Sequence, residues 1–254
     1  MIIRIQKSET VKEEIKNRLQ SNCPIPSLLV PKSTPVISFG DFERARVFTL
    51  GINPSNLEFE DRKGQLLKNN LRRLQTQSSL RAENGVPYSD RQLERILEGC
   101  FNYFNKRPYF WFNKLENILL TLGCTYYEAG SAAHVDLVQW ATKAKWSDLS
   151  NNEREELIDD GRQFLEYQLR SANLELLLLN GRTVCEEFQK WSGIQYSYSP
   201  FEIPKGKNAQ IMTGLYNGRV KVIGWSANLQ SSYGISTADI DRLADKVKAI
   251  IDGV

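Results

Sequence analysis

Val47-Phe48-Thr49-Leu50-Gly51-Ile52-Asn53-Pro54-Ser55 carries an apolar run straight into Gly-Ile-Asn-Pro-Ser, followed by the polar residues Asn56 to Asp61. Residues 46–52 read as a buried strand. A strand that ends in Gly, Asn and Pro delivers a polar side chain to the rim of a sheet, and in open α/β folds that rim binds ligands. The same residues also make an ordinary strand-to-turn exit. Taken alone, the stretch leaves both readings open.

Outward from this strand, the pattern alternates. Toward the N-terminus, Val11, Ile15 and Leu19 predict a short amphipathic helix over 9–20, and Pro24, Pro26, Pro31 and Pro35 predict irregular chain over 21–45. Beyond it, 64–78 and 89–104 read as helices broken near Asn84-Gly85-Val86-Pro87, and another helix follows over 109–122, ended by Gly123. Residues 132–138 read as the second strand. Ser150-Asn-Asn-Glu153 matches a capping box and opens a helix to about Ser171. Leu174 to Leu179 is nearly all apolar, as a strand covered on both faces should be. A helix fills 182–191, and Asn217-Gly218 signals a hairpin between strands near 210–216 and 219–225. Ser236 caps a last helix with Ile240, Leu243, Ala244, Val247, Ile250 and Ile251 on one face. The predicted class is α/β: a three-layer α/β/α sandwich with a central, mainly parallel four-stranded sheet plus a hairpin. The 254 residues read as one domain, with 1–45 an N-terminal helical or irregular extension and 56–107 a basic helical insertion over the strand ends.

Composition is that of a globular protein, 41% apolar and 25% charged. No apolar run is long enough for a membrane span, and the charged start MIIRIQKSETVKEEIKNRL lacks a signal peptide's apolar block. We expect a cytoplasmic monomer. Cys23, Cys100, Cys124 and Cys185 lie far apart without a CxxC pair, so we expect free thiols and no metal or other cofactor. The single histidine, His134, reads as a satisfied side chain near a strand start or, less simply, as a catalytic group. Between Arg62 and Arg107, ten basic residues, Arg72 and Arg73 among them, stand against four acids. Tyr88, Phe101, Tyr103, Phe104, Tyr109, Phe110 and Trp111 lie in or just after this segment. Basic residues interleaved with aromatics suit a nucleic-acid groove, through phosphate neutralisation and base stacking. They also suit a solvated helical face over a few core rings.

Four stretches, in order, resemble the uracil-DNA glycosylase superfamily, most closely its mismatch-specific branch. Gly51-Ile52-Asn53-Pro54-Ser55 is similar to that branch's G-I-N-P-G motif. Arg107-Pro108-Tyr109-Phe110-Trp111 and the apolar helix after it resemble the N-R-F-W segment. Val135 to Thr142 (VDLVQWAT) is similar to a strand ending L-V-x-R-P-T, and Val222 to Ser232 stands in the place of the N/H-P-S-x-L-S loop. The likeness covers about 45–57 and 107–252.

The resemblance implies a DNA glycosylase that flips a uracil or another deaminated or mismatched base into a pocket and hydrolyses its N-glycosidic bond. Asn53 would orient the attacking water, since an amide is no strong base; the plainer role for it is turn capping. Asp136 takes the slot where related branches use an Asn to read the base, and an ionised Asp only accepts hydrogen bonds. It would suit an edge bearing an exocyclic amine better than plain uracil, or it is a solvated or Arg-paired carboxylate. The base pocket would include Gly51, Ile52, Pro54, Ser55, Tyr109 and Phe110, with Phe59 a further stacking candidate. Trp225 replaces the family's His or Asn. Leu229 would be the wedge behind the flipped base, or an apolar contact under a loop. Ser226, Asn228, Gln230, Ser231 and Ser232 would meet phosphates, with Arg72 and Arg73. Two other readings stand beside this one: a family member that binds nucleic acid without chemistry, and an unrelated α/β enzyme for a nucleotide. The chain has no GxGxxG or GxxxxGK[ST] loop for the latter.

Overall fold

The computed structural model of the protein describes residues 12–253, apart from 84, 128–129, 172, 204–206 and 231–234. One mixed six-stranded sheet organises them. Its strands are β1 (Val47–Gly51), β2 (Ala132–Asp136), β3 (Leu176–Asn180), β4 (Ser197–Ile203), β5 (Lys207–Tyr216) and β6 (Val220–Trp225), in the order β2-β1-β3-β6-β5-β4. β2, β1, β3 and β6 are parallel, and β5 and β4 add antiparallel to β6. A single mixed sheet of six strands thus replaces the four-stranded sheet with a separate hairpin that was predicted. The hairpin is part of it: Asn217 and Gly218 both take positive φ (49° and 65°), the turn that matches strand twist. β4 was not foreseen, because Pro200 interrupts its pattern; an edge strand tolerates a proline that an inner strand would not.

Seven α-helices occur among the described residues: α1 (Glu13–Gln20), α2 (Gln77–Leu80), α3 (Asp90–Phe101), α4 (Asn113–Thr121), α5 (Asn151–Leu169), α6 (Arg182–Ser192) and α7 (Thr237–Asp252). Every residue of β1, β2 and β3 is buried, as in strands covered on both faces. The right-handed rule for parallel strands predicts the β1–β2 connection over one face and the β2–β3 and β3–β6 connections over the other. Accordingly α4 lies against α7, while α5 meets α1 and, through Arg162 over the Trp191 ring (5.9 Å), α6. The connection leaving β1 thus diverges from those leaving its neighbours, an arrangement at which open α/β sheets commonly bind ligands. No described helix is long and apolar enough to cross a membrane.

One segment differs from the sequence reading, and another follows it but is packed more deeply than expected. The helix expected over 64–78 is a turn-rich stretch with only the short α2 near its end. The Asp61 carboxylate accepts from the backbone N–H of Lys63 (2.8 Å) and Gln65 (3.0 Å), and Asn69 turns left-handed at φ 51°. Side-chain bonds of this kind compete with helix formation. The proline-rich 21–45 segment is irregular, yet 33–40 is wholly buried. It runs antiparallel along the outer edge of β2, exchanging backbone bonds between Phe39 and His134 (2.8 Å each way), with Val36 N–H donating to Gln139 O (2.8 Å). It covers a sheet edge that would otherwise be open. Residues 9–11 of the first predicted helix lie outside the described residues.

Candidate functional site at the strand ends

Parallel register sets Thr49 beside His134 and Gly51 beside Asp136. The pairing continues past the strands, with Leu137 N–H donating to Gly51 O (3.1 Å) and Val138 N–H to Ile52 O (2.9 Å). Thr49, Gly51, His134 and Asp136 share one face. On it, Tyr126 OH meets Thr49 Oγ1, Thr49 Oγ1 meets His134 Nδ1 (2.7 Å), and His134 Nε2 lies 3.3 Å from Asp136 Oδ1. The carboxylate favours a proton on Nε2; Nδ1 then accepts from Thr49, whose oxygen accepts from Tyr126. Burial pushes the Tyr126 phenol well above its ordinary pKa, so it stays a donor. The rings of Phe112, Trp111 and Phe39 surround His134 at 5.2, 5.3 and 5.7 Å. His134 and Asp136 are only 2% and 4% exposed. Gly51 makes this arrangement possible: a Cβ there would lie 2.5 Å from Asp136 Oδ1 and 2.8 Å from His134 Nε2.

Glu58 is the acid that sequence reasoning missed. Ser55-Asn-Leu-Glu58 has the spacing of a capping box, whose glutamate would be solvated. Ser55 does cap a 3-10 turn, accepting from Leu57 N–H (3.2 Å), but the turn points Glu58 inward, where it is buried. Tyr103 OH donates to Glu58 Oε2 (2.6 Å) and accepts from Tyr109 N–H (2.9 Å). Burial raises the Glu58 pKa to about 7, against the Tyr103 bond and the Arg73 charge, while the charge of Asp136 raises it further. Arg73 donates to Leu57 O (2.8 Å) and covers the Tyr109 ring at 5.2 Å. The loop after β1 and the last residue of β2 thus each contribute an acid to one locality.

Asn53 is half-buried. Its Nδ2 donates to Thr142 Oγ1 (3.1 Å) and approaches Trp140 O (3.4 Å) and Pro54 O (3.3 Å). Oδ1 has no partner among the described residues, so the side chain offers an acceptor only. Ile52 is half-buried, and Gly51 and Pro54 are buried, so the motif presents Asn53 rather than a broad surface.

The loop after β6 reaches the same end of the sheet but differs in detail from expectation. Trp225 is fully buried and donates from Nε1 to Asn180 Oδ1 (3.0 Å). Asn180 Nδ2 donates to Gln230 Oε1 (2.6 Å), and Gln230 Nε2 to Trp111 O (3.3 Å). This relay ties the loop to the segment whose Trp111 ring rests on His134. Leu229 is 1% exposed, its carbonyl held by Lys114 Nζ (2.6 Å), so it fills the core rather than projecting as a wedge. Ser226 Oγ accepts from Gln210 N–H (2.9 Å), extending the sheet. Asn228 is exposed and its Oδ1 accepts from Gln230 N–H (3.0 Å). Ser231 and Ser232 lie outside the described residues. Phe110 does not line a pocket but stands 63% exposed, its ring 4.5 Å from that of half-buried Tyr109. Arg72 is half-buried beside Arg73.

Cys23, Cys100, Cys124 and Cys185 are free and buried. Burial raises the thiols of Cys23 and Cys100 to about 11 and that of Cys185 to about 12, which makes poor nucleophiles. Among the described residues no three His, Cys, Asp or Glu side chains are grouped to hold a metal ion. No family model matches the chain, and no curated protein matches it either.

Proposed function

We propose that the protein is a DNA glycosylase-like hydrolase of the uracil-DNA glycosylase superfamily, which receives a flipped deaminated or mismatched base between the loops after β1 and β2. One observation carries the reading: the in-register pairing of Gly51 with Asp136, which lays a carboxylate over bare backbone two residues before Asn53. Flipping is required because the glycosidic bond of a stacked base is out of reach. Asn53 spends its N–H groups on Thr142 and its neighbours, so its free oxygen orients water without deprotonating it. Water oxygen bonds to C1′ and releases a proton to solvent, the C1′–N bond breaks, and its electron pair leaves with the base, which takes up a proton from solvent. A carboxylate accepts only, so Asp136 in that form would favour a base edge presenting an N–H or an exocyclic amine. Glu58, protonated below about pH 7, supplies a neutral acid close enough to feel the Asp136 charge.

The test uses duplexes carrying uracil or thymine opposite guanine, hypoxanthine or xanthine, with abasic product read as alkali-labile cleavage. Product is expected on at least one lesion, falling about 100-fold or more in Asn53→Ala. Product that survives unchanged in both Asn53→Ala and Asp136→Ala would rule out this site. A second reading, DNA binding without chemistry, is favoured by Trp225, which is buried with its N–H committed to Asn180 and gives nothing to a leaving base. Tight, salt-dependent binding with no product on any lesion would select it.

A further inference from the structure

We infer that Phe110, not Leu229, is the side chain that enters the duplex, and that Lys68, Arg72, Lys106 and Arg107 hold the phosphates around it; the inference rests on the DNA-binding reading above. At 63%, Phe110 is the most exposed of the large apolar side chains among the described residues. It begins a 3-10 turn, Phe110–Phe112, whose other two rings are anchored: Phe112 is 2% exposed and Trp111 packs on His134. The backbone under Phe110 is therefore fixed while its ring is in solvent, and Trp111 leads from it directly to the His134–Asp136 pair. Tyr109 supports the ring from below, and Arg73 covers Tyr109. That contact joins two basic strings, Lys68 with Arg72 and Arg73, and Lys106 with Arg107. Lys68, Lys106 and Arg107 are exposed, and no member of either string forms an ion pair among the described residues. Exposed Leu71, at 47%, belongs to the first string. An exposed apolar ring with cations that form no ion pair on the adjoining chain segments is complementary to stacked bases flanked by phosphates. Inserted apolar side chains unstack a base step and open the duplex for flipping. Leu229, buried and tethered through Lys114, cannot do so without breaking its loop.

The test compares wild type, Phe110→Ala, Phe110→Trp and Leu229→Ala on a duplex with one tetrahydrofuran abasic analogue next to 2-aminopurine. Affinity is read by anisotropy at low salt and unstacking by 2-aminopurine fluorescence. A stacked ring is worth about 5- to 100-fold in affinity. Phe110→Ala is expected to lose roughly that factor and the fluorescence rise at an unchanged melting temperature, Phe110→Trp to keep both, and Leu229→Ala to melt lower. Wild-type binding and fluorescence in Phe110→Ala would overturn the wedge and leave the DNA reading standing. A wild type that does not bind the duplex would overturn both. A wild type that dimerises through this face, with Phe110→Ala abolishing the dimer at unchanged DNA affinity, would overturn the wedge alone: the ring would then serve a second copy.

Discussion

Glu58 keeps its proton to about pH 7 because burial penalises the charged form. In the unfolded chain a glutamate titrates at about 4.3. Between those values the native state binds more protons than the unfolded state, so this group's stability contribution is fully present below about pH 4, declines as pH rises, and is gone above about pH 7. The span is worth on the order of 3 kcal/mol. Glu58→Gln, which can still accept from Tyr103, is expected to flatten this slope and to be the more stable protein at pH 8; urea unfolding at pH 5 and 8 measures it. An unaltered slope in the variant would mean that Glu58 is ionised in the native state. At Gly51 the conflict is steric. Gly51→Ala sets a methyl into the Asp136 carboxylate and the His134 ring, a destabilisation of about 1–3 kcal/mol in thermal melts together with loss of base excision. These residues differ in legibility. The glycine and asparagine announce a turn at once, whereas Glu58 has the spacing of a surface cap and becomes a buried acid only when Tyr103, 45 residues away, comes beneath it.

Elements with strong local rules were readable. Ser150 with Glu153 and Ser236 with Asp239 each form reciprocal caps, so the starts of α5 and α7 follow from a few neighbouring residues. Leu176 to Leu179 reads as an inner strand because it needs no solvent face. Elements that depend on distant partners were not. The 64–78 stretch has leucines at helical spacing, yet Asp61 captures backbone N–H groups at its start and Asn69 turns it left-handed. β4 exists because β5 offers it an edge. The loop after β6 belongs to the same class: its Leu229 is held by Lys114 and lies in the core. Leu229→Ala is therefore expected to cost about 2–5 kcal/mol in denaturant unfolding. A loss below about 0.5 kcal/mol would show that the loop leaves the core readily and restore Leu229 as a wedge.

At the scale of the molecule, a modest net charge of +3 conceals a basic segment between Arg62 and Arg107. Each phosphate neutralised contributes about 0.9 to the slope of log affinity against log salt. Lys106→Glu with Arg107→Glu is expected to flatten that slope by about 2 and to weaken binding to every duplex alike, while uracil-containing and intact duplexes keep their ratio. A slope that stays put would remove this face from the DNA contact. The sequence alone determined the alternation of strand and helix, the α/β class, the polar exit of β1 and the uneven charge, because periodicity, capping and turn chemistry act over a few residues. The tertiary structure alone decided that His134 and Asp136 lie against Gly51, that Glu58 is buried and raised, that the proline-rich segment seals β2, and that Phe110 rather than Leu229 faces solvent. Those outcomes depend on strand register and on contacts between residues far apart in the chain, and burial at such contacts sets both charge state and exposure.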